Sequence, residues 1–146
     1  TLYTNRERVI KEADVTLLVS GAPESNMFQF VDMISAQNGR GAITMLHRLL
    51  DARQEPLAIL GMINRQSRLL LQVKSHVESG GDVRELARLI NVKDWLLNNL
   101  LKQAARFPLD RLETMHRTLL DIDYRIKTGQ IDGILALDTL VAEWTS

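Results

Sequence analysis

EPLAILGMINRQSRLLLQVKSHVES, residues 55–79, is the longest stretch of the chain that reads as one uninterrupted helix, and the other segments read as shorter helices packed round it. Pro56 falls in the first turn, where the N–H that proline lacks would have no intrahelical acceptor anyway. At about 100° per residue, Ile59, Ile63, Leu70, Val73 and Val77 share one stripe, the expected buried face. Gly61, Arg65, Arg68 and Gln72 lie opposite, at i, i+4, i+7 and i+11. Residues 64–68, NRQSR, are five polar positions in a row, so for slightly more than one turn the helix is polar all round. Gln66 and Ser67 need partners. Water or a neighbouring side chain is one source, because buried polar groups are normally hydrogen-bonded; a partner subunit is the other.

The flanking segments repeat the helical period. Leu2, Tyr3 and Val9 show little pattern, but residues 11–19, KEADVTLLV, predict a short helix with Ala13, Leu17 and Leu18 inward and Glu12 and Asp14 in its first turn. SGAPESN, residues 20–26, reads as a linker. A helix to about Gln37 follows, with Phe28, Val31 and Ile34 inward, Ser25 or Asn26 as its cap, and Asn38 and Gly39 as its stop. Residues 41–53 place Ala42, Ile43, Leu46, Leu49 and Leu50 on one face, with Arg40, His47, Arg48 and Arg53 outward. Past Gly80 and Gly81, Asp82 caps a helix burying Leu86, Leu89 and Ile90, and residues 93–106 bury Trp95, Leu96, Leu97, Leu100, Leu101 and Ala104. Between 109 and 128, Leu112, Met115, Leu119, Ile122 and Ile126 step by 3, 4, 3 and 4, a seam suited to lying along another helix. Gly129 ends it, and Asp132 caps a last helix burying Ile134, Leu137, Leu140, Val141 and Trp144. With no alternating β pattern, the expected fold is an all-α bundle of about eight helices with short connections and largely antiparallel neighbours.

Composition narrows function. The 146 residues suffice for one domain with a real core. Eighteen basic residues balance eighteen acidic ones and aromatics are 5%, so neither charge nor stacking surface favours nucleic-acid binding by this piece. The absence of cysteine excludes disulfides, thiol catalysis and thiolate metal sites. No run of about 18 apolar residues and no signal pattern is present, which predicts a soluble, cytoplasmic protein without membrane association. The opening TLYTNRER, without Met, reads as the middle of a longer protein.

No catalytic, cofactor or metal site is expected. His47, His76 and His116 lie on different helices with no second ligand at zinc-like spacing, and surface histidines account for them. There is no phosphate loop, no GxGxxG and no nucleophile elbow. Asp123 and Lys127 form an i, i+4 pair worth about 0.3–0.5 kcal/mol of helix support. Residues 82–106 have the outline of a helix-turn-helix, and Asn98, Asn99, Lys102 and Gln103 are the set that would touch DNA, so a DNA-binding regulator is the alternative function. Against it, Trp95, Leu96 and Leu97 occupy the end where base-reading side chains belong.

In order and spacing, IKEADVTLLVSG (10–21), NMFQFVDMISAQNGRGAITMLHRLLDARQEPLAIL (26–60), INRQSRLLLQVK (63–74), ELARLINVKDWLLNNLLKQAARFPLDRL (85–112) and LLDIDYRIKTG (119–129) resemble the delta subunit family of the bacterial DNA polymerase III clamp loader, in its C-terminal half. The resemblance implies that residues 1–22 are the end of an AAA+-type lid and residues 23–146 a helical collar that assembles the loader. The partners implied are tau/gamma-type and delta-prime-type subunits. The sliding clamp would be met only through an N-terminal domain outside this sequence, and DNA only indirectly. The family's delta subunit opens the clamp without being a working ATPase, so this piece is expected to be no enzyme, although its parent belongs to the polymerase III holoenzyme.

Gly61, Arg65, Arg68 and Gln72 are the candidate partner-binding residues. A mid-helix glycine costs about 1 kcal/mol relative to alanine, which makes sense where another backbone comes close. Arginine is the cation enriched at interfaces. The competing reading is a solvated helix face.

Overall fold

The long helix forms as Pro56–Glu78, with Pro56 at its first position and Glu55 in extended backbone ahead of it. The computed structural model describes residues 23–146, and in chain order its helices are α1 (Pro23–Ser35), α2 (Gly39–Asp51), α3 (Pro56–Glu78), α4 (Val83–Ile90), α5 (Asp94–Ala104), α6 (Leu109–Lys127) and α7 (Gly133–Trp144). Among the described residues there is no strand. Seven helices stand where periodicity counts about eight; the other, over 11–19, lies outside the described residues, as does the expected lid end over 1–22.

Local chemistry sets most helix ends. Asp82 Oδ1 accepts from Arg84 N at 3.2 Å to start α4, and Asp132 Oδ2 accepts from Ile134 N and Leu135 N at 3.1 and 3.2 Å to start α7. Gly129, at φ +75°, takes the left-handed turn after α6. Residues 23–26 of the expected linker are helical, so Ser25 and Asn26 lie inside α1 and neither caps it; residues 20–22 lie outside the described residues. Helix α1 ends at Ser35 rather than Gln37, and Gln37 takes the positive φ of 57°. Asn38, expected to stop α1, instead caps α2, its Oδ1 accepting from Gly41 N at 3.0 Å.

Helix α3 runs through the middle, packed on α6 and α5 and also on α1, α7 and α4, while α2 bridges α1 and α7. Ile59, Leu60, Ile63, Leu70 and Val73 of α3 meet Leu112, Met115, Leu119 and Ile122 of the α6 seam in one core, completed by Phe30, Ile34, Leu46, Leu100, Phe107, Leu137 and Leu140. Burying such a side chain contributes about 1.5–3 kcal/mol. Arg111 ties three helix ends together. One of its Nη donates to Ile34 O at 3.2 Å and to Trp144 O at 3.0 Å, near the C-termini of α1 and α7, while its guanidinium lies 5.0 Å from the Phe107 ring centre.

Four residues expected inside are not. Trp95 is 52% exposed because it lies well round from Leu96, Leu97 and Leu100 on α5, and Ile134 sits at the edge of the α7 face. Val77 has the right phase, but full burial along α3 stops at Val73, and among the described residues α4 packs on the side of the last turn that carries Ser75, His76 and Ser79, leaving Val77 47% exposed. Leu89 projects from α4, whose buried contact is made by Leu86.

The polar break in α3 is answered mostly from within. Gln66 Nε2 donates to Gln103 Oε1 at 2.8 Å, and Gln103 Nε2 donates to Phe28 O at 3.0 Å and Asp32 Oδ1 at 2.7 Å. Asp32 also accepts from Arg106. This belt joins α3, α5 and α1 through two glutamines that are 3% and 1% exposed. Ser67 Oγ, also buried, has no hydrogen-bond partner among the described residues.

Candidate partner interface

All four residues of the expected face, Gly61, Arg65, Arg68 and Gln72, are exposed along the outer side of α3. The ion pairs among described residues are His47–Asp138, Lys74–Glu78, His76–Glu85, Arg106–Asp32, Arg125–Asp121 and Lys127–Asp123, and neither Arg65 nor Arg68 belongs to them. Two positive charges thus stand one turn apart with no carboxylate answering them among the described residues. A Cβ placed on Gly61 would meet no atom of the described residues within 4 Å, so nothing among them requires glycine there.

The ends of this face open into clefts. Gly61 lies in one of about 350 Å³ between α3 and α6, lined by Leu57, Leu60, Asn64, Leu119, Leu120, Asp123 and Lys127. Its lips carry Leu57 and Leu120, 42% and 52% exposed, and Tyr124 stands one turn beyond Leu120 at 62%. Gln72 lies in the other, about 430 Å³ between α3 and α4, where Leu89 is 70% exposed. The arginines occupy the ridge between them. Periodicity found the α3 side of this surface and missed the α6 side. Asp123 and Lys127 do pair, at 2.9 Å, but they also wall the first cleft. Leu120 and Tyr124, an i, i+4 apolar pair outside the buried seam, were the available signal.

The other candidates fare differently. His47 Nε2 pairs with Asp138 Oδ1 at 2.9 Å, and His76 Nε2 meets Asp82 O at 2.8 Å. Among the described residues no three metal-ligating side chains cluster, and no helix is long and apolar enough to cross a membrane. The helix-turn-helix outline exists as α4 and α5, but Gln103, one of its four would-be DNA contacts, is spent in the buried belt. Asn98, Asn99 and Lys102 remain exposed.

Comparison with known proteins bears on the whole domain. The chain is 28% identical over 143 residues to the DNA polymerase III subunit delta of Bacillus subtilis (strain 168), an alignment that takes in 98% of this chain and 41% of that protein. The solved structure of the Bacillus subtilis DNA clamp loader delta protein superposes with a TM-score of 0.81 at 28% identity, covering 97% of this chain and 41% of that one. The chain therefore spans about 41% of the length of these relatives. The family model described as the DNA polymerase III delta subunit, C-terminal domain, matches residues 24–144, and the chain belongs to that family.

Proposed function

We propose that residues 23–146 form the collar domain of a clamp-loader delta subunit, whose work is to hold that subunit in a ring with tau/gamma-type and delta-prime-type neighbours while the sliding clamp is opened during DNA replication. The protein acts in the cytoplasm, as part of the polymerase III holoenzyme. Residues 1–22 finish an AAA+-type lid, the clamp is gripped by a domain outside this sequence, and the collar itself catalyses nothing. The observation that carries this reading is the outward face of α3, where Arg65 and Arg68 lack carboxylate partners among the described residues, in a domain of the delta C-terminal family. A charge left unpaired on a free subunit is available to a neighbour's carboxylate or carbonyl, for which the guanidinium fork is suited.

The test is a sedimentation titration of the full-length subunit, with Arg65→Ala and Arg68→Ala together, against its partner subunits. Both side chains are exposed, so the melting temperature should hardly move. Assembly should weaken by about 2 kcal/mol or more, roughly thirtyfold. Unchanged assembly would return the face to solvent.

A further inference from the structure

We infer that the cleft between α3 and α6 seats an acidic amphipathic helix of a neighbouring subunit; this rests on the collar reading and names the element that meets it. The α3 wall is one helical stripe: Leu57, Gly61 and Asn64 line the cleft, and Arg65 and Arg68 continue the stripe along the ridge. The α6 wall is Leu120, Asp123 and Lys127, with Tyr124 beside it. A groove between two helices, apolar on its lips, is the shape that receives a third helix by its apolar face.

Two observations define that helix. Among the described residues nothing stands within 4 Å of a Cβ placed on Gly61, so a partner can approach closely where a large side chain would hold it off. Charge settles the rest. Asp123 and Lys127 neutralise each other at 2.9 Å, so the lining of the cleft carries no net charge, while Arg65 and Arg68, farther along the same α3 stripe, have no ion-pair partner among the described residues. The complementary helix carries apolar residues at i, i+3 or i+4 to enter the cleft, and carboxylates on the flank that passes over the arginines.

The experiment is a size series at Gly61 in the full-length subunit, titrated against its partner subunits by sedimentation, with melting temperatures in parallel. Gly61→Ala and Gly61→Leu both add a better helix former in open space, so each should raise the melting temperature, by about 2–4 °C for alanine. Assembly should survive alanine with little loss and weaken at least about thirtyfold with leucine. Gain of stability with loss of assembly is a pair of results that no purely structural role for the site yields. Arg65→Glu with Arg68→Glu should weaken assembly more than the alanine pair does; equal losses would overturn the acidic character of the partner. Normal assembly of Gly61→Leu alongside failure of the arginine variants would overturn the cleft and leave the collar reading standing. Normal assembly of both would overturn the two together. A melting temperature lowered by leucine would refute the open cleft, and self-association of the subunit alone, abolished by Gly61→Leu, would replace the neighbour with a second copy.

Discussion

Gln103→Leu removes the centre of the belt that joins α1, α3 and α5 while keeping its volume close to the original. Three hydrogen bonds are lost, at 2.8, 3.0 and 2.7 Å, and their costs differ. Phe28 O is a mid-helix carbonyl that keeps its ladder bond. Asp32 is 46% exposed at its side chain and keeps Arg106 and water. Gln66 is the expensive loss: at 3% exposure its Nε2 is left buried with nothing to donate to, which costs about 1–3 kcal/mol. The sum is about 2 kcal/mol, and at roughly 3–4 °C per kcal/mol for a chain of this size the melting temperature should fall by about 6–8 °C. Gln66→Leu strands Gln103 Oε1 instead and should cost about 1–2 kcal/mol. The double variant leaves neither amide unpaired and fills the site with apolar groups of similar volume, so it should lie within about 1 kcal/mol of the parent. Urea and thermal denaturation followed by far-ultraviolet circular dichroism measure all four corners of the cycle. Additive losses, or single losses below about 0.5 kcal/mol, would refute the claim that these glutamines hold each other.

Arg111→Ala should lower stability by about 2 kcal/mol, since two charge-assisted bonds to the carbonyls of Ile34 and Trp144 and the contact with Phe107 go together; calorimetry would register it as a fall of about 6–8 °C. Asp132→Ala should cost about 1 kcal/mol by freeing the N–H groups of Ile134 and Leu135, and Asp132→Asn should restore most of it, as read from urea midpoints.

The fold was legible because each long helix carries its period plainly. Pro56, Asp82, Gly129 and Asp132 sit at its boundaries with side chains or backbone suited to them. Burial was less legible where apolar character and helical phase disagree. Trp95 is apolar but points away from the Leu96, Leu97 and Leu100 face, whereas Gln103 is polar yet has the right phase, and phase prevailed in both. Val77 shows the limit of phase itself, because a stripe is buried only as far as another helix covers it, and length of cover is a property of the packing. The cleft was half visible for the same reason. Its α3 wall is a pattern within one helix, while its other wall comes from α6, brought alongside by the seam from Leu112 to Ile122.

The run NRQSR shows how one polar segment divides its work by angle. At about 100° per residue, Gln66 and Ser67 fall on the two flanks of the Ile59, Ile63 and Leu70 stripe and are drawn inside. Gln66 reaches α5 there and fixes how far α3 can slide or rotate against it, since a one-residue shift would leave two buried amides without partners. Arg65 and Arg68 fall outside. Asn64 falls between, on the wall of the α3/α6 cleft. The inward pair cannot be traded for the outward one, because guanidinium groups turned into the core would meet leucines, and glutamines turned out would present no charge. A register pinned by Gln66 therefore also fixes the rotation at which Gly61, Asn64, Arg65 and Arg68 face out, so the buried belt positions the exposed face. A variant that loosens the belt should then weaken assembly through the angle of α3 as well as through stability.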